Sequence, residues 1–228
     1  MAGETVTLND TTLGFVAHPT GGQPQPGVII IHEVTGLNDY IRQVVERYAE
    51  QGFVGLAVDL YEGKTASGMQ DGLPLREKVT EAVFRDKIGA GIRHLKADPA
   101  CSGRLGVTGF CMGGGFCLWA ACLFPDDLEA CSMFYGRIAD LTLIERLRHP
   151  VIGNFGAQDT GISTWVGQEL WQAAMKYEKS LDVKIYPGAP HGFARFNDPV
   201  NHRPEAARDA FERTYALFNR ELRAPVRV

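Results

Sequence analysis

Short runs of apolar, β-branched residues alternate along the chain with segments in which apolar residues recur at helical spacing. The run Val28-Ile-Ile-Ile31 is continuous, as expected of a strand buried on both faces. From Ile41 to Ala49 the apolar residues lie three and four positions apart, and Phe53–Val58 is the next apolar run. This alternation continues along the chain and predicts a mainly parallel sheet with helices on both faces.

The pattern predicts seven to eight strands in one α/β domain over residues 1–228. Thr5–Leu8 and Leu13–Ala17 are expected to pair as an antiparallel hairpin at one edge of the sheet. Residues 59–75 are rich in glycine and contain a proline, which favours a loop. The remaining predicted elements are, in order, a helix over about 76–97, strand Arg104–Thr108, helix Gly113–Leu123, strands Leu128–Phe134 and Pro150–Phe155 with a short helix between them, a helix capped by Ser163 that ends near Lys179, strand Val183–Tyr186, and a closing helix with an apolar face from Ala207 to Phe218.

Side chains that can carry chemistry come directly after four of the predicted strands. They are, in chain order, Glu33, Cys111, Asp159 and His191. Ligands bind outside the carboxyl ends of the strands in parallel sheets, so we expect these four residues on one rim. The order Cys, Asp, His is also the order of nucleophile, carboxylate and imidazole in the α/β-hydrolase triad.

The segment Val107–Gly115, VTGFCMGGG, resembles the turn that lifts a nucleophile above such a sheet, with cysteine in place of serine. A thiol needs help to ionise at neutral pH, and His191 can take its proton and later return it. Asp159 can hold the imidazole in one tautomer. The backbone N–H groups of Met112 and Val34 are the expected oxyanion donors.

Taken together, these motifs resemble those of the dienelactone hydrolase family over nearly the whole chain. The matching segments are Gly109-Phe-Cys111-Met-Gly113-Gly114, His32-Glu33-Val34-Thr35-Gly36, Gly156-Ala-Gln-Asp159, His191-Gly-Phe193-Ala-Arg195 and Arg203-Pro-Glu-Ala-Ala207.

The resemblance implies an α/β-hydrolase fold and hydrolysis of a carboxylate-bearing enol-lactone, of the dienelactone to maleylacetate type. It implies that Glu33 lies beside the thiol and can take its proton. It also implies that Arg195 pairs with this glutamate at rest and binds the substrate carboxylate, for which a guanidinium is well suited. Phe193 belongs to the same motif and is counted with the substrate-binding residues. A second substrate-binding arginine is either Arg76 or Arg85.

Two other functions fit the same residues. An esterase or thioesterase for an uncharged substrate would keep the triad and would not need Arg195. A non-catalytic relative that binds a carboxylate or senses oxidants would keep the fold and show an oxidisable Cys111 without turnover.

The composition limits the partners and the cellular compartment that we expect for this protein. The net charge is −4 and there is no basic patch, so neither nucleic acid nor an acidic membrane surface is an expected partner. Five cysteines, an odd number without Cys-x-x-Cys spacing, favour a reducing cytoplasm, and no secretory signal is recognised. His32-Glu33 does not continue to a His-Glu-x-x-His zinc motif, because residue 36 is glycine. We expect a monomer without metal or cofactor that acts on a small molecule.

Overall fold

The computed structural model describes residues 2–223 and contains an eight-stranded sheet in the order β1-β2-β4-β3-β5-β6-β7-β8. The strands are β1 Glu4–Asn9, β2 Thr12–Ala17, β3 Gln25–Ile31, β4 Val54–Val58, β5 Cys101–Phe110, β6 Ala130–Phe134, β7 Val151–Gly156 and β8 Leu181–Tyr186. The helices are α1 Asp39–Glu50, α2 Met69–Glu77, α3 Glu81–Ala97, α4 Met112–Leu123, α5 Thr164–Lys176 and α6 Pro204–Leu222, with a short 3₁₀ helix at Leu141–Arg146. The predicted mainly parallel α/β fold is confirmed.

The chain divides between Val107 and Thr108 into two compact units. The organisation of residues 1–228 as one domain stays a prediction. Within residues 2–223, no helix combines the length and the apolar character that crossing a bilayer requires.

The first unit confirms the antiparallel edge. β1 pairs with β2 and β2 pairs with β4, both antiparallel, whereas β3 and β4 are parallel with Ile31 opposite Val58. The four isoleucine and valine side chains of 28–31 have no exposed surface, as the continuous apolar run predicts. β3 ends at Ile31, so His32 and Glu33 begin the connection at its carboxyl end.

The second unit brings two carboxyl ends into register. β6, β7 and β8 are parallel neighbours, and Gly156 at the end of β7 lies opposite Tyr186 at the end of β8. The connections that carry Asp159 and His191 therefore leave the sheet at the same level.

The predicted loop over 59–75 is wrong in its second half, because α2 begins at Met69. Gly72 and Pro74 lie inside this helix and conceal its periodicity in the sequence. Gly72 is needed for packing, since a Cβ there would lie 2.4 Å from the carbonyl oxygen of Val34. Packing of α2 against the loop that carries Val34 thus stabilises a helix in a segment whose residues disfavour one.

One predicted helix start, one capping hydrogen bond and one helix end also need correction. The helix predicted from residue 76 begins at Glu81, where Thr80 is the N-cap and its hydroxyl accepts a hydrogen bond from the N–H of Val83. Ser163 does precede α5, but its side chain makes no capping hydrogen bond. Helix α5 ends at Lys176, three residues before the predicted end.

A buried pair of hydroxyls joins α6 to β6. Ser132 and Thr214 are fully buried, and their hydroxyl oxygens lie 2.7 Å apart. Thr214 donates its one hydroxyl proton to the carbonyl oxygen of Ala210 at 2.8 Å, so Ser132 is the donor between the two hydroxyls.

We expect the substitution Thr214→Val to lower the free energy of unfolding by about 1–3 kcal/mol, because it leaves the buried Ser132 hydroxyl without its acceptor. Adding Ser132→Ala removes that stranded donor, so the double variant should lose less than the sum of the two single variants. Urea denaturation of the four proteins measures the coupling. Strictly additive losses would contradict the pairing.

Candidate active site

Cys111 occupies a strained turn between a strand and a helix. β5 ends at Phe110, α4 begins at Met112, and Cys111 between them has φ 56° and ψ −118°. Residues with a Cβ rarely adopt a positive φ, and such strain concentrates at functional sites. The N–H of Cys111 donates to the carbonyl oxygen of Phe134 at 3.1 Å, which ties the turn to the end of β6. The strand, the strained residue and the helix follow one another as VTGFCMGGG predicts, and the role of Cys111 as nucleophile stays a prediction.

Glycines make this turn possible by removing side chains at two close approaches. A Cβ at Gly109 would lie 2.0 Å from the carbonyl oxygen of Gly113, and one at Gly114 would lie 2.2 Å from that of Phe134. Strand, turn and helix start therefore pack backbone against backbone. Cys111 is left as the N-cap of α4, where the helix dipole stabilises negative charge.

Asp159 and His191 form a close pair at the ends of β7 and β8. Oδ2 of Asp159 lies 2.7 Å from Nδ1 of His191. Oδ1 of the same carboxylate accepts the N–H groups of Gly161 at 2.8 Å and Ile162 at 2.7 Å. The Asp159 side chain is fully buried, whereas 34% of the His191 side chain is exposed. The loop thus fixes the carboxylate through contacts that do not involve the imidazole, and the fixed carboxylate orients the imidazole.

The pair has opposite pKa shifts. Burial works to raise the pKa of Asp159, but hydrogen bonds from His191 and from the backbone outweigh it and lower this pKa below its ordinary value. Burial works to lower the pKa of His191, but its hydrogen bonds with Asp159 and Cys111 outweigh burial and raise this pKa to about 10. His191 is therefore hydrogen-bonded to Asp159 on one side and to Cys111 on the other.

Tyr135 also belongs to this region, although the sequence motifs do not include it. It directly follows β6, has φ 38°, and is fully buried. Its ring meets that of His191 edge-on, with centroids 5.1 Å apart and planes at 63°. The rule that located Asp159, namely the first polar residues after a strand, also applies to Tyr135.

Phe193 lies behind the histidine. Its ring has no exposed surface and packs against Tyr135, with centroids 5.5 Å apart, and against Tyr186 at 5.1 Å. It therefore supports the loop that carries His191. A contact between Phe193 and substrate stays a prediction.

Arg195 lies on the same loop as His191. Its N–H donates to the carbonyl oxygen of Gly192 at 2.8 Å, and its Nε donates to Oδ1 of Asn197 at 3.2 Å. These contacts fold the chain after the histidine into a tight turn. Substrate binding by Arg195 stays a prediction.

The first unit holds the other residues predicted for the site. Glu33 and Val34 are 5% and 6% exposed, in the turn that follows β3. Arg76 lies in the last turn of α2. Nε of Arg85 donates to Oε1 of Glu81 at 2.8 Å on the surface of α3. This ion pair is a structural use of Arg85, and the choice between the two arginines as substrate ligands stays open.

The five cysteines are all free thiols and only Cys111 is partly exposed. Cys117 and Cys122 lie in the core as predicted, and Sγ of Cys131 lies 3.8 Å from Sγ of Cys117. Burial raises the pKa of the Cys101 and Cys131 thiols and raises that of Cys122 to about 12. Among residues 2–223, no group of three or more His, Cys, Asp or Glu side chains is arranged to hold a metal ion.

The chain is similar in sequence to a known protein family. The model of the Dienelactone hydrolase family matches residues 13–222. A protein of Synechocystis sp., named provisionally as a carboxymethylenebutenolidase, is 30% identical over 230 residues, with 92% of each chain covered. A Bradyrhizobium sp. protein, named provisionally as a 2-oxo-3-(5-oxofuran-2-ylidene)propanoate lactonase, is 26% identical over 238 residues, with 94% of each chain covered.

Solved structures share the fold. A crystal structure from Klebsiella pneumoniae, described provisionally as a dienelactone hydrolase, has a TM-score of 0.87 at 24% identity and covers 95% of this chain and 97% of its own. A dienelactone hydrolase-like promiscuous phosphotriesterase from metagenomic libraries has a TM-score of 0.85 at 21% identity, with 96% and 97% covered.

We expect the ring of His191 to titrate near pH 10, against 6.5 for an ordinary histidine, in ¹⁵N NMR spectra of the ring nitrogens. Asp159→Asn and Cys111→Ser should each lower this midpoint, because each removes a group that favours the imidazolium. Cys122→Ala, which removes a buried thiol elsewhere, should leave it unchanged. Since the folded-state pKa is raised, the stability that His191 contributes is fully present below pH 6.5 and is lost as the pH rises through about 10. A wild-type midpoint near 6.5 would contradict the hydrogen-bonded row.

Proposed function

The chain belongs to the dienelactone hydrolase family and is a hydrolase, and from this premise we propose that it opens a carboxylate-bearing enol-lactone through a Cys111–His191–Asp159 triad and an acyl-enzyme. The observation that carries the proposal is the position of Cys111, at a positive φ on a helix N-terminus and hydrogen-bonded to a histidine that a buried aspartate orients. Each of these features has a chemical use in acyl transfer.

The first half of the reaction forms a thioester. The sulfur of Cys111 attacks the lactone carbonyl carbon, and His191 holds the proton that the thiol gives up. The backbone N–H groups of Met112 and Val34 stabilise the oxyanion of the tetrahedral intermediate. The ring C–O bond then breaks, and the leaving enol oxygen takes the proton from His191. Asp159 stabilises the imidazolium throughout.

The second half releases the product. Water attacks the thioester carbonyl carbon while His191 takes one of its protons. The C–S bond breaks as the second tetrahedral intermediate collapses, and the sulfur leaves as the thiol with the proton held by His191. The product carries a new carboxylate, and the enzyme returns to its starting state with no oxidant or cofactor consumed.

We assign Glu33 and Arg195 to substrate-dependent activation, as the resemblance in sequence implies. Arg195 binds the carboxylate of the substrate, and Glu33 assists ionisation of the thiol once that carboxylate is bound. The substrate class is supported by the name of the Bradyrhizobium relative, which describes an unsaturated lactone that bears a carboxylate. A guanidinium recognises such a group with paired, charge-assisted hydrogen bonds.

The domain organisation, the oligomeric state and the cellular compartment of the enzyme are also proposals. We propose a single-domain monomer in a reducing cytoplasm that acts on a small molecule without a cofactor. The odd number of cysteines supports the compartment.

We expect Cys111→Ala to lower the rate of dienelactone hydrolysis, followed as loss of the lactone absorbance, by at least about a thousandfold, because no other group replaces the nucleophile. Cys101→Ala removes a thiol with no proposed role and should retain the wild-type rate. Turnover by Cys111→Ala at the wild-type rate would exclude the acyl-enzyme. If the wild-type protein hydrolysed neither the lactone nor a nitrophenyl ester, the oxidant-sensing alternative would be favoured.

We expect Arg195→Ala to lower kcat/KM for the lactone by roughly 10- to 100-fold, the usual loss for one charge-assisted contact, and to leave a neutral nitrophenyl ester unaffected. Arg208→Ala is the matched control, because Arg208 is an exposed arginine of α6 paired with Glu212. Equal losses for the lactone and the neutral ester would contradict carboxylate recognition and favour an esterase for uncharged substrates.

A further inference from the structure

His32 lies in the first unit, between the ends of two neighbouring strands, and has no exposed surface. Its Nδ1 is 2.7 Å from the carbonyl oxygen of Glu33, and its Nε2 is 3.2 Å from the backbone nitrogen of Leu60. The ring also meets that of Tyr61, with centroids 4.7 Å apart. We infer that His32 is a positioning residue that aims the N–H of Val34 as an oxyanion donor, an inference that rests on the proposed function.

The partners of the ring determine its tautomer. The backbone N–H of Leu60 can only donate, so Nε2 of His32 must carry a lone pair. The carbonyl oxygen of Glu33 can only accept, so Nδ1 must carry the proton. His32 is therefore a neutral imidazole with the proton on Nδ1. Burial, which is the largest influence, lowers the pKa of His32 and favours the same neutral form.

The bond to Glu33 acts on Val34 through the peptide plane. The carbonyl of Glu33 and the N–H of Val34 belong to one peptide group, and the described chain contains no cis peptide bond. In a trans peptide these two groups point in opposite directions. When His32 holds the carbonyl, it also sets the direction of the N–H of Val34.

A second hydrogen bond also restrains the peptide group between Glu33 and Val34. The N–H of Gly36 donates to the same carbonyl oxygen of Glu33 at 3.0 Å, closing a turn over residues 33–36. Gly36 has φ 88°, a conformation that suits glycine. The turn restrains the peptide from one side, and His32 restrains it from the strand end. The side chain thus links the β3 connection to the β4 connection through Leu60.

The test uses two substitutions of nearly equal size. In His32→Asn, the side-chain amide places a donor at the position of Nδ1, whereas His32→Leu has the same branching and no donor. If Leu does not fold, His32→Phe keeps a ring without nitrogen. Each variant is assayed for hydrolysis of the lactone and for the rate at which iodoacetamide alkylates Cys111. Alkylation forms no oxyanion, so it responds to the thiol and His191 and not to the direction of an oxyanion donor.

We expect His32→Leu to lower kcat about 10- to 100-fold with KM nearly unchanged, as for partial loss of one oxyanion donor. His32→Asn should remain within about threefold of wild type, and all proteins should be alkylated at the same rate. If His32→Leu kept the wild-type kcat, the inference would be overturned. It would also be overturned if His32→Leu and His32→Asn lost kcat and alkylation rate to the same extent. Neither outcome would contradict the triad.

Two further outcomes are decisive. An NMR spectrum showing the His32 proton on Nε2, or on both nitrogens at neutral pH, would overturn the inference whatever the kinetics. A wild-type protein without turnover would instead overturn the proposed function, and the oxyanion role of Val34 with it.

Discussion

The strained backbone at Cys111 is the constraint on which the site depends. A strand buried in a sheet must end and a helix must begin within a single residue, and a residue with a Cβ at φ 56° costs about 1–3 kcal/mol. Contacts elsewhere offset this cost: the N–H of Cys111 is held by Phe134, and Gly109 and Gly114 allow backbone contacts that a methyl group would prevent. The result is a sulfur held at the N-cap of a helix, where negative charge is stabilised.

The imidazole and carboxylate are positioned by a different part of the fold. Their loops leave β7 and β8 at the same level because these strands are parallel and in register. Asp159 binds two backbone N–H groups with one oxygen and His191 with the other, so its orientation does not depend on the histidine. Tyr135 and Phe193 then close the space beside and behind the imidazole. Sheet register, a local turn and aromatic packing therefore each contribute to the position of the Asp159–His191 pair.

The fold, and the order of the residues along it, could be predicted from the sequence because both follow from simple rules. Apolar runs mark parallel strands, and residues after strand ends mark the ligand-binding rim. Helix α2 could not be predicted, because Gly72 and Pro74 disrupt its pattern and its support comes from packing against Val34.

The contribution of two side chains was also hidden. The position of Tyr135 after a strand could be seen in the sequence, but its contact with the ring of His191 could not. In the sequence, His32 invites only a metal-ligand interpretation. Its contacts with backbone groups of Glu33 and Leu60 are visible only in the structure, because no side-chain motif encodes them. Substrate binding by Arg195, Arg76 or Arg85 stays a prediction, because it depends on contacts with a ligand that no local sequence pattern encodes.

The burial of the other four thiols has a practical consequence for handling the protein. Three of them have pKa values raised by burial, and Cys117 and Cys131 face each other inside the second unit. Although the chain has five cysteines, a soft electrophile should therefore react with Cys111 alone in the folded protein. A dye, spin label or affinity handle can be attached at a single defined atom of the native sequence, and the fraction of chains that accept it counts the competent sites in a preparation.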